Sequence, residues 1–498
     1  MEKTSEQKRG WILAALMLTM MLAAMDITIV STAIPQIVSD LGGFNKFTWV
    51  FSIYLLAQTV TIPIYGKLSD MYGRKWILIF GIIIFLIGSA TSAMAWNIGS
   101  LIAFRGIQGL GAGSIMATVN TIAGDIYTVK ERAKIQGYLS SIWGISAILG
   151  PALGGALAEF VNWRWIFLIN LPVGALSIFF LLAFFKEKVV PRKPVIDYRG
   201  AILILCTLAL LLVYLLEGGQ SWPWLSWPSY TLLILVIIMF LWTYRVESRS
   251  PHAIMPAWLW KNRTLAFTNF AMMGMGIVMM GPETFLPTFT QASLGLGIIA
   301  SGFVLASMSI GWPIASALSG RLYLRIGFRE TSMIGAVLVF MACIWFLLIP
   351  KPQPIYLIVM NQVMMGAGFG LLSTPSLVGT QSMVPWQHRG TVTSDNVFSR
   401  NLGQSLGATL VGAVFNNSLQ YQMGNAPADL PSATQNVMEI LNDPQISIGA
   451  KTYLREAINL AMGHVYWGLA FFTIVIFLCL YRVPHRDPNK ETRIELEK

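Results

Sequence analysis

Long apolar runs, each followed by a short polar segment, recur along nearly the whole chain. A helix that crosses the hydrocarbon core of a bilayer needs about 20 mostly apolar residues. Fourteen runs approach or exceed that length: 11–34, 48–66, 76–96, 99–122, 136–158, 165–185, 200–217, 229–246, 264–290, 297–319, 331–350, 354–376, 392–416 and 460–481. The pattern predicts an all-α membrane protein with 14 transmembrane helices, and the even count places both termini on one side of the membrane.

The basic residues between these runs indicate which side that is. With the N-terminus placed in the cytoplasm, the inner segments are rich in Lys and Arg, as in Lys67, Arg74 and Lys75 after the second run. The outer segments contain only Lys46, Arg164, Lys351, Lys451 and Arg455. Because cytoplasmic loops carry an excess of Lys and Arg, we predict that both termini are cytoplasmic in a multi-pass protein of the plasma membrane.

Composition excludes several other classes of protein. Of the 498 residues, 55% are hydrophobic and 11% are charged, whereas soluble domains carry roughly 25% charged residues. The net charge of +11 does not indicate nucleic-acid binding, because the basic residues are scattered in short loops and form no extended face. There is no Gly-x-x-x-x-Gly-Lys-Ser/Thr phosphate loop, so we predict that an ion gradient and not ATP supplies the energy.

The cysteines and histidines give no sign of a metal site, a disulfide framework or a catalytic cluster. Cys206, Cys343 and Cys479 all lie inside apolar runs without a CxxC spacing, which is typical of lipid-embedded or core thiols. The four histidines are scattered and form no HxxxH or HExxH pattern. We therefore expect no metal, no cofactor and no enzymatic activity.

The chain contains an internal repeat. At an offset of 257 residues (366 minus 109), three glycines of the fourth run meet three glycines of the twelfth, and Asp26 meets Glu283. The glycines are Gly109, Gly111 and Gly113, and Gly366, Gly368 and Gly370. Two parallel six-helix repeats around a central cavity are a transporter architecture. The predicted domains are an N-terminal six-helix bundle (1–199), two inserted linker spans (200–263), and a C-terminal six-helix bundle (264–498) with an external loop at 417–459.

Four ionisable residues within the runs are candidates for function, because a charge inside the membrane is costly. They are Asp26, Arg105, Glu283 and Arg400. Asp26 can exchange a proton for a cationic substrate, or it can be a carboxylate permanently paired with a basic neighbour. Glu283 can share that role or can reach water at the outer face, and Pro282 beside it is expected to kink or break its helix. Arg105 and Arg400 can tune the carboxylates or form structural ion pairs.

Further candidates lie in the inner loops and in the fifth run. Asp70 can cap a helix N-terminus, and Arg74 can pair with Asp125 at the inner end of the fourth run. Gly150 and its neighbours permit close helix packing and a bend. These candidates belong to longer motifs: Gly66-x-Leu68-x-Asp70-x-x-Gly73-Arg74-Lys75, Leu101-x-x-x-Arg105-x-x-Gln108-Gly109-x-Gly111, Gly150-Pro151-x-x-Gly154-Gly155, and Met25-Asp26-x-Thr28-Ile29-Val30.

Taken together, these motifs resemble the major facilitator superfamily, and specifically its fourteen-span drug:proton antiporters, the QacA/EmrB-like group. The resemblance implies the major facilitator fold with a 6 + 2 + 6 arrangement of helices. It implies a charge latch formed by Asp70, Arg74 and Asp125, with Gly66 and Gly73, that stabilises the outward-facing state. It also implies a role in proton coupling for Arg105. The segment Gly150, Pro151, Gly154 and Gly155 would be the hinge and the seal against proton leak.

The predicted function is proton-coupled multidrug efflux by alternating access, with amphipathic, cationic compounds as substrates. The alternative is a dedicated exporter of one metabolite, lipid or peptide that works by the same mechanism. An uptake symporter is disfavoured by the Gly150-Pro151 motif. The expected partners are protons, small amphipathic molecules and the lipid bilayer, without nucleic acid, and the chain is expected to act as a monomer.

Overall fold

The computed structural model describes residues 6–42, 46, 48–187, 197–218, 221–250, 253–350, 353–423 and 446–485. Within these ranges the regular structure is helical apart from one isolated bridge between Gly218 and Trp222. The helices are α1 (Glu6–Leu41), α2 (Thr48–Tyr72), α3 (Arg74–Ala93), α4 (Ile98–Ile126), α5 (Val129–Phe160), α6 (Trp165–Leu168), α7 (Asn170–Phe184), α8 (Tyr198–Glu217), α9 (Trp227–Glu247), α10 (Ala257–Lys261), α11 (Arg263–Leu294), α12 (Ile298–Ala306), α13 (Met308–Ile326), α14 (Phe328–Leu348), α15 (Ile355–Ser382), a 3₁₀ turn (Trp386–His388), α16 (Arg389–Met423) and α17 (Ile448–Arg482).

Twelve candidate spans among the described residues are long and apolar enough to cross a membrane. In two of them, a short helix and the helix that follows it make one span: α6 with α7, and α12 with α13. Helices α4 and α16 are also long but more polar, and they lie outside this set. The predicted count of fourteen requires these two helices as additional spans.

Two expectations about individual helices need adjustment. Helix α11 runs through both Pro282 and Pro287 without interruption, so Pro282 does not break it. The segment predicted as an external loop, 417–459, is helical at both ends, because α16 extends to Met423 and α17 begins at Ile448. Residues 424–445 of that segment and the predicted cytoplasmic tail from residue 486 lie outside the described residues.

The chain divides into two compact units. Unit 1 contains Met1–Asn269 and Ser376–Phe398, and unit 2 contains Phe270–Pro375 and Ser399–Lys498. The linker helices α8 and α9 belong to unit 1, where α8 packs against α9 and α2. Unit 1 also contains the end of α15 and the start of α16, which we call the docked segment (376–398). The docked segment lies within the range 264–498 predicted as the C-terminal bundle, and the predicted domain bounds stay a prediction.

Each unit packs its glycine-rich helix in the same way. In unit 1, α4 approaches α2 at two of its repeat glycines and α3 at the third, so closely that side chains there would collide. In unit 2, α15 makes the same approaches to α13 and α14. The glycines are Gly109, Gly113 and Gly111 in α4, and Gly366, Gly370 and Gly368 in α15. The same pattern of glycines thus produces the same helix packing twice.

Candidate functional site

Asp26 lies fully buried in α1, in the interior of unit 1, with an exposed fraction of 0%. Its Oδ2 accepts a hydrogen bond from Arg105 Nη1 at 2.5 Å, which is also an ion pair. Its Oδ1 accepts from Gln108 Nε2 at 2.7 Å and from Asn170 Nδ2 at 3.3 Å. Arg105 and Gln108 are three residues apart and therefore share one face of α4. We call these four residues the Asp26 site.

Among the described residues, Arg105 has no second carboxylate partner, and the rest of its guanidinium contacts neutral groups of unit 1. Its Nε donates to the Val50 carbonyl at 3.4 Å, and its plane lies 4.3 Å from the centre of the Tyr54 ring, a cation–π contact. Arg105 Nη2, the Tyr54 hydroxyl and Asn170 Oδ1 are buried without a hydrogen-bond partner in the described structure. Such unpaired polar atoms are costly unless water or a ligand binds them. These three atoms can therefore form hydrogen bonds to water or to a polar ligand at the Asp26 site.

Glu283 and Arg400 form a much looser arrangement in unit 2. Both side chains are partly exposed, and their charges attract each other. Among the described residues, no ion pair within 4 Å and no hydrogen bond joins Glu283 to a partner. The Nε of Arg400 is buried and also unpartnered. Among the described residues, the acid that aligns with Asp26 thus has the charge of Arg400 near it but no direct polar contact.

The latch residues lie together in unit 1. The buried Arg74 guanidinium contacts Asp125 Oδ2 through Nε at 3.0 Å and Asp70 Oδ1 through Nη2 at 2.8 Å. The same Nη2 donates to the Trp386 carbonyl at 2.5 Å, and the guanidinium lies 3.6 Å from the Trp386 ring centre. Arg74 therefore connects α2 and α4 to the docked segment.

Asp70 binds the first turn of α16. Its Oδ1 accepts from Gly390 N at 2.8 Å, and its Oδ2 accepts from Thr391 N at 2.7 Å and from the Thr391 hydroxyl at 2.8 Å. The first N–H groups of a helix have no partner within the helix and carry partial positive charge. Asp70 thus acts as a helix cap supplied by a different helix.

Two glycines and one further arginine also contribute to the packing and the ion pairs of the latch. A side chain at Gly66 would collide with Ser394 of the docked segment, and Gly73 has a φ of 94° that other residues rarely adopt. Arg389 Nη1 pairs with Asp125 Oδ1 at 3.2 Å, so Asp125 binds two arginines. Sequence reasoning did not assign Arg389 to the latch.

The glycines of the fifth run differ from one another. A Cβ at Gly150 would lie 2.7 Å from Thr28 Cβ and 3.2 Å from Ile29 N of α1, whereas one at Gly155 would meet nothing within 4 Å. Thr28 also donates across this interface to the Ser146 carbonyl at 2.9 Å. Close packing explains Gly150 but not Gly155. Helix α5 is continuous through Pro151, and Gly154 is buried.

Sequence reasoning also missed Asp395, which lies in α16 with an exposed fraction of 2%. Asn269 Nδ2 donates to its Oδ2, and Asn396 Nδ2 donates to Asn269 Oδ1 at 3.4 Å. The Oδ1 of Asp395 is buried without a hydrogen-bond partner in the described structure. Its position inside the thirteenth apolar run is the signal that identifies it, because a charge within a span is costly.

No group of three or more His, Cys, Asp or Glu side chains among the described residues is placed to hold a metal ion.

The family model of the Major Facilitator Superfamily matches residues 16–408. Multidrug resistance protein 3 of Bacillus subtilis (strain 168) is 35% identical over 454 residues, which cover 90% of this chain and 88% of that protein. The Multidrug transporter protein MdtP of the same organism is 32% identical over 533 residues, which cover 100% of this chain and 97% of that protein.

Among solved structures, the human organic anion transporter MFSD10 (TETRAN) matches with a TM-score of 0.63. The match covers 95% of this chain and 99% of that chain at 15% identity. At this identity the similarity is one of fold alone.

Proposed function

This chain belongs to the major facilitator superfamily, and we propose that it is a proton-coupled multidrug efflux antiporter of the fourteen-span group. It is a multi-pass membrane transporter and not an enzyme. The two Bacillus relatives, named for multidrug resistance and multidrug transport, support drug efflux as its task. We place it in the plasma membrane as a monomer with both termini in the cytoplasm, and its substrates are amphipathic, cationic compounds.

The observation that carries the proposal is the Asp26 site. A carboxylate buried in a span and joined to one arginine and two amides can release its hold on Arg105 when it takes up a proton. A lipophilic cation competes for the same negative charge, so proton and substrate exclude each other. That exclusion is the essential property of an antiporter, because binding of one drives release of the other.

Glu283 supplies the second acid. Among the described residues it forms no hydrogen bond that would have to break. It can therefore exchange its proton or its cation with a smaller rearrangement of its surroundings than Asp26 needs. A proton that crosses with the field gains about 2.3 kcal/mol per 100 mV, and a pH gradient adds to that. Export of a monovalent cation opposes the same field, so the pH gradient alone drives a one-for-one exchange, and the field contributes when more than one proton enters per cation.

The latch supplies the conformational step. In our proposal Arg74, Asp70 and Asp125 hold the docked segment while the inner side is closed, and these bonds break when the transporter opens inward. Asp70 alone contributes three hydrogen bonds to α16. Their loss and re-formation in each cycle favours two discrete states over a continuous range of intermediates.

Transport in inside-out membrane vesicles tests the proposal. Vesicles with and without the protein are energised by respiration and given ethidium and a panel of amphipathic cations, anions and neutral compounds, with and without a protonophore. We expect uptake of several cations that the protonophore abolishes. Uptake that persists with the protonophore contradicts proton coupling, and transport of a single compound contradicts multidrug efflux and favours the dedicated exporter.

A further inference from the structure

A groove of about 390 Å³ lies where α8 begins and α9 ends. Both helix ends face the side that the charge pattern predicts to be cytoplasmic. Three arginines, one aspartate, one tryptophan and one serine dominate its lining: Arg199, Arg245, Arg249, Asp197, Trp242 and Ser250. Neither the motifs of the sequence nor the transport mechanism uses this groove.

The three arginines of the groove are all exposed. Within the part of the chain that the structure describes, none of their guanidinium groups forms an ion pair or a hydrogen bond. Arg74 and Arg105, by contrast, are both paired with carboxylates. With respect to the described residues, the groove arginines thus present unpaired guanidinium groups, and such groups bind phosphate in a bidentate manner.

The nearby acids do not cancel this positive charge. Asp197 is the single carboxylate in the lining, and its Oδ1 accepts from Gly200 N at 2.8 Å as the cap of α8. Glu247 is buried, and its Oε2 accepts from Met255 N at 2.8 Å. The lining therefore contains three positive charges and one negative charge. Asp197 and Glu247 both already accept hydrogen bonds from backbone N–H groups.

The surroundings of the groove are those of a membrane surface. The buried positions of helix α9 are Ser229, Val236 and Glu247, and exposed apolar residues such as Ile234 and Ile238 lie along it. Trp242 is 56% exposed and lies in the groove itself. Tryptophan is enriched at the level of lipid headgroups, so the exposed apolar face of α9 ends beside the arginines at that level.

We propose that this groove binds the headgroup of an anionic phospholipid. The phosphodiester oxygens accept hydrogen bonds from the arginines, the Ser250 hydroxyl adds a donor, and the Trp242 ring packs beside the glycerol. A phosphatidylcholine headgroup also contains a phosphate, but its choline cation would meet three guanidinium groups and a single carboxylate. The groove is thus selective for net negative charge, and basic pockets between membrane helices on the cytoplasmic side bind such headgroups.

The test uses the full-length protein in detergent, titrated with phosphatidylglycerol or phosphatidylcholine and followed by native mass spectrometry. The test variant is R199Q/R245Q/R249Q. The matched control is R321Q/R325Q/R482Q, which removes three exposed arginines at the ends of α13 and α17. We expect the groove variant alone to lose phosphatidylglycerol binding, by about fivefold per arginine or roughly 100-fold for all three.

Equal losses in the two variants, or no loss in the groove variant, would overturn the proposal in favour of arginines that serve only to fix topology. Displacement of phosphatidylglycerol by millimolar inorganic phosphate would also overturn it, because the groove would then be a site for soluble anions. If the glutamine variant fails to fold, R199K/R245K/R249K keeps the charge while removing the forked guanidinium. A lysine variant that binds as tightly as wild type would contradict headgroup recognition by the arginines.

Discussion

Asp26 and Glu283 occupy matching positions in the two repeats, but their surroundings are opposite. Asp26 is fully buried and accepts hydrogen bonds from an arginine and two amides. Glu283 is partly exposed, and in the described structure Arg400 acts on it through its charge without a hydrogen bond or a close ion pair. The repeat therefore conserves the position of an acid but not its partners. Asp26 must break three hydrogen bonds before it can exchange its cation, so it is suited to stabilise one conformation of the transporter. Glu283 has no such hydrogen bonds in the described structure, so it is suited to exchange its proton or cation quickly.

Removing Arg105 should produce the largest effect. R105A leaves the Asp26 carboxylate buried and without its cation, which costs about 3–5 kcal/mol in the free energy of unfolding, and it should abolish efflux. R400A is the matched change in unit 2, and its cost should stay below about 1 kcal/mol because Arg400 has no ion pair within 4 Å in the described structure. Unfolding in detergent measures both. An R105A protein as stable as R400A would contradict the contrast between the two sites.

Neutralising each acid separates function from stability. We expect D26N and E283Q each to reduce proton-driven ethidium efflux to the level of vesicles without the protein. E283Q should leave the free energy of unfolding unchanged, whereas D26N should lower it because Arg105 loses its counter-ion. D40N is the control, since Asp40 lies at the end of α1, where Arg164 and Trp163 donate to it. Normal efflux by both D26N and E283Q would refute the carboxylate mechanism.

The scaffold around the two acids is alike even though their partners differ. A Cβ at Gly150 would lie 2.7 Å from Thr28 Cβ in α1, and one at Gly407 would lie 2.7 Å from Ile277 Cα in α11. In each unit the helix that carries the acid is thus approached closely by a glycine of a second helix. The repeat is preserved in backbone packing, where a single methyl group matters.

Alanine substitutions test this shared scaffold. G150A and G407A should each lower the free energy of unfolding by about 1–3 kcal/mol, because each overpacks a close helix contact. Gly155 and Gly412 are the matched controls, since a Cβ at either position would meet nothing within 4 Å. G155A and G412A should therefore unfold like the wild type. A loss at Gly155 equal to that at Gly150 would show that packing is not the cause.

The sequence indicated the helices better than it indicated which side chains contact one another. Apolar runs locate a span because burial in lipid depends on length and composition, and the repeat glycines indicated the close packing that both units show. Which residue meets Asp26 depends on how each helix is rotated about its axis. A mostly apolar run does not determine that rotation, so Gln108 and Asn170 could not be assigned to the site. Neutral amides are also common in spans and carry no signal of their own.

Asp395 provides the smallest expected effect and the sharpest check on what makes Asp26 different. Both acids are almost fully buried, but Asp395 is bound by the amide of Asn269 and has no cationic partner in the described structure. D395N keeps the size of the side chain and leaves no charge unpaired, so its free energy of unfolding should stay within about 1 kcal/mol of wild type. Thermal unfolding beside D26N measures the difference. If D395N loses as much stability as D26N, burial alone and not the bond to Arg105 sets the cost of replacing an acid here.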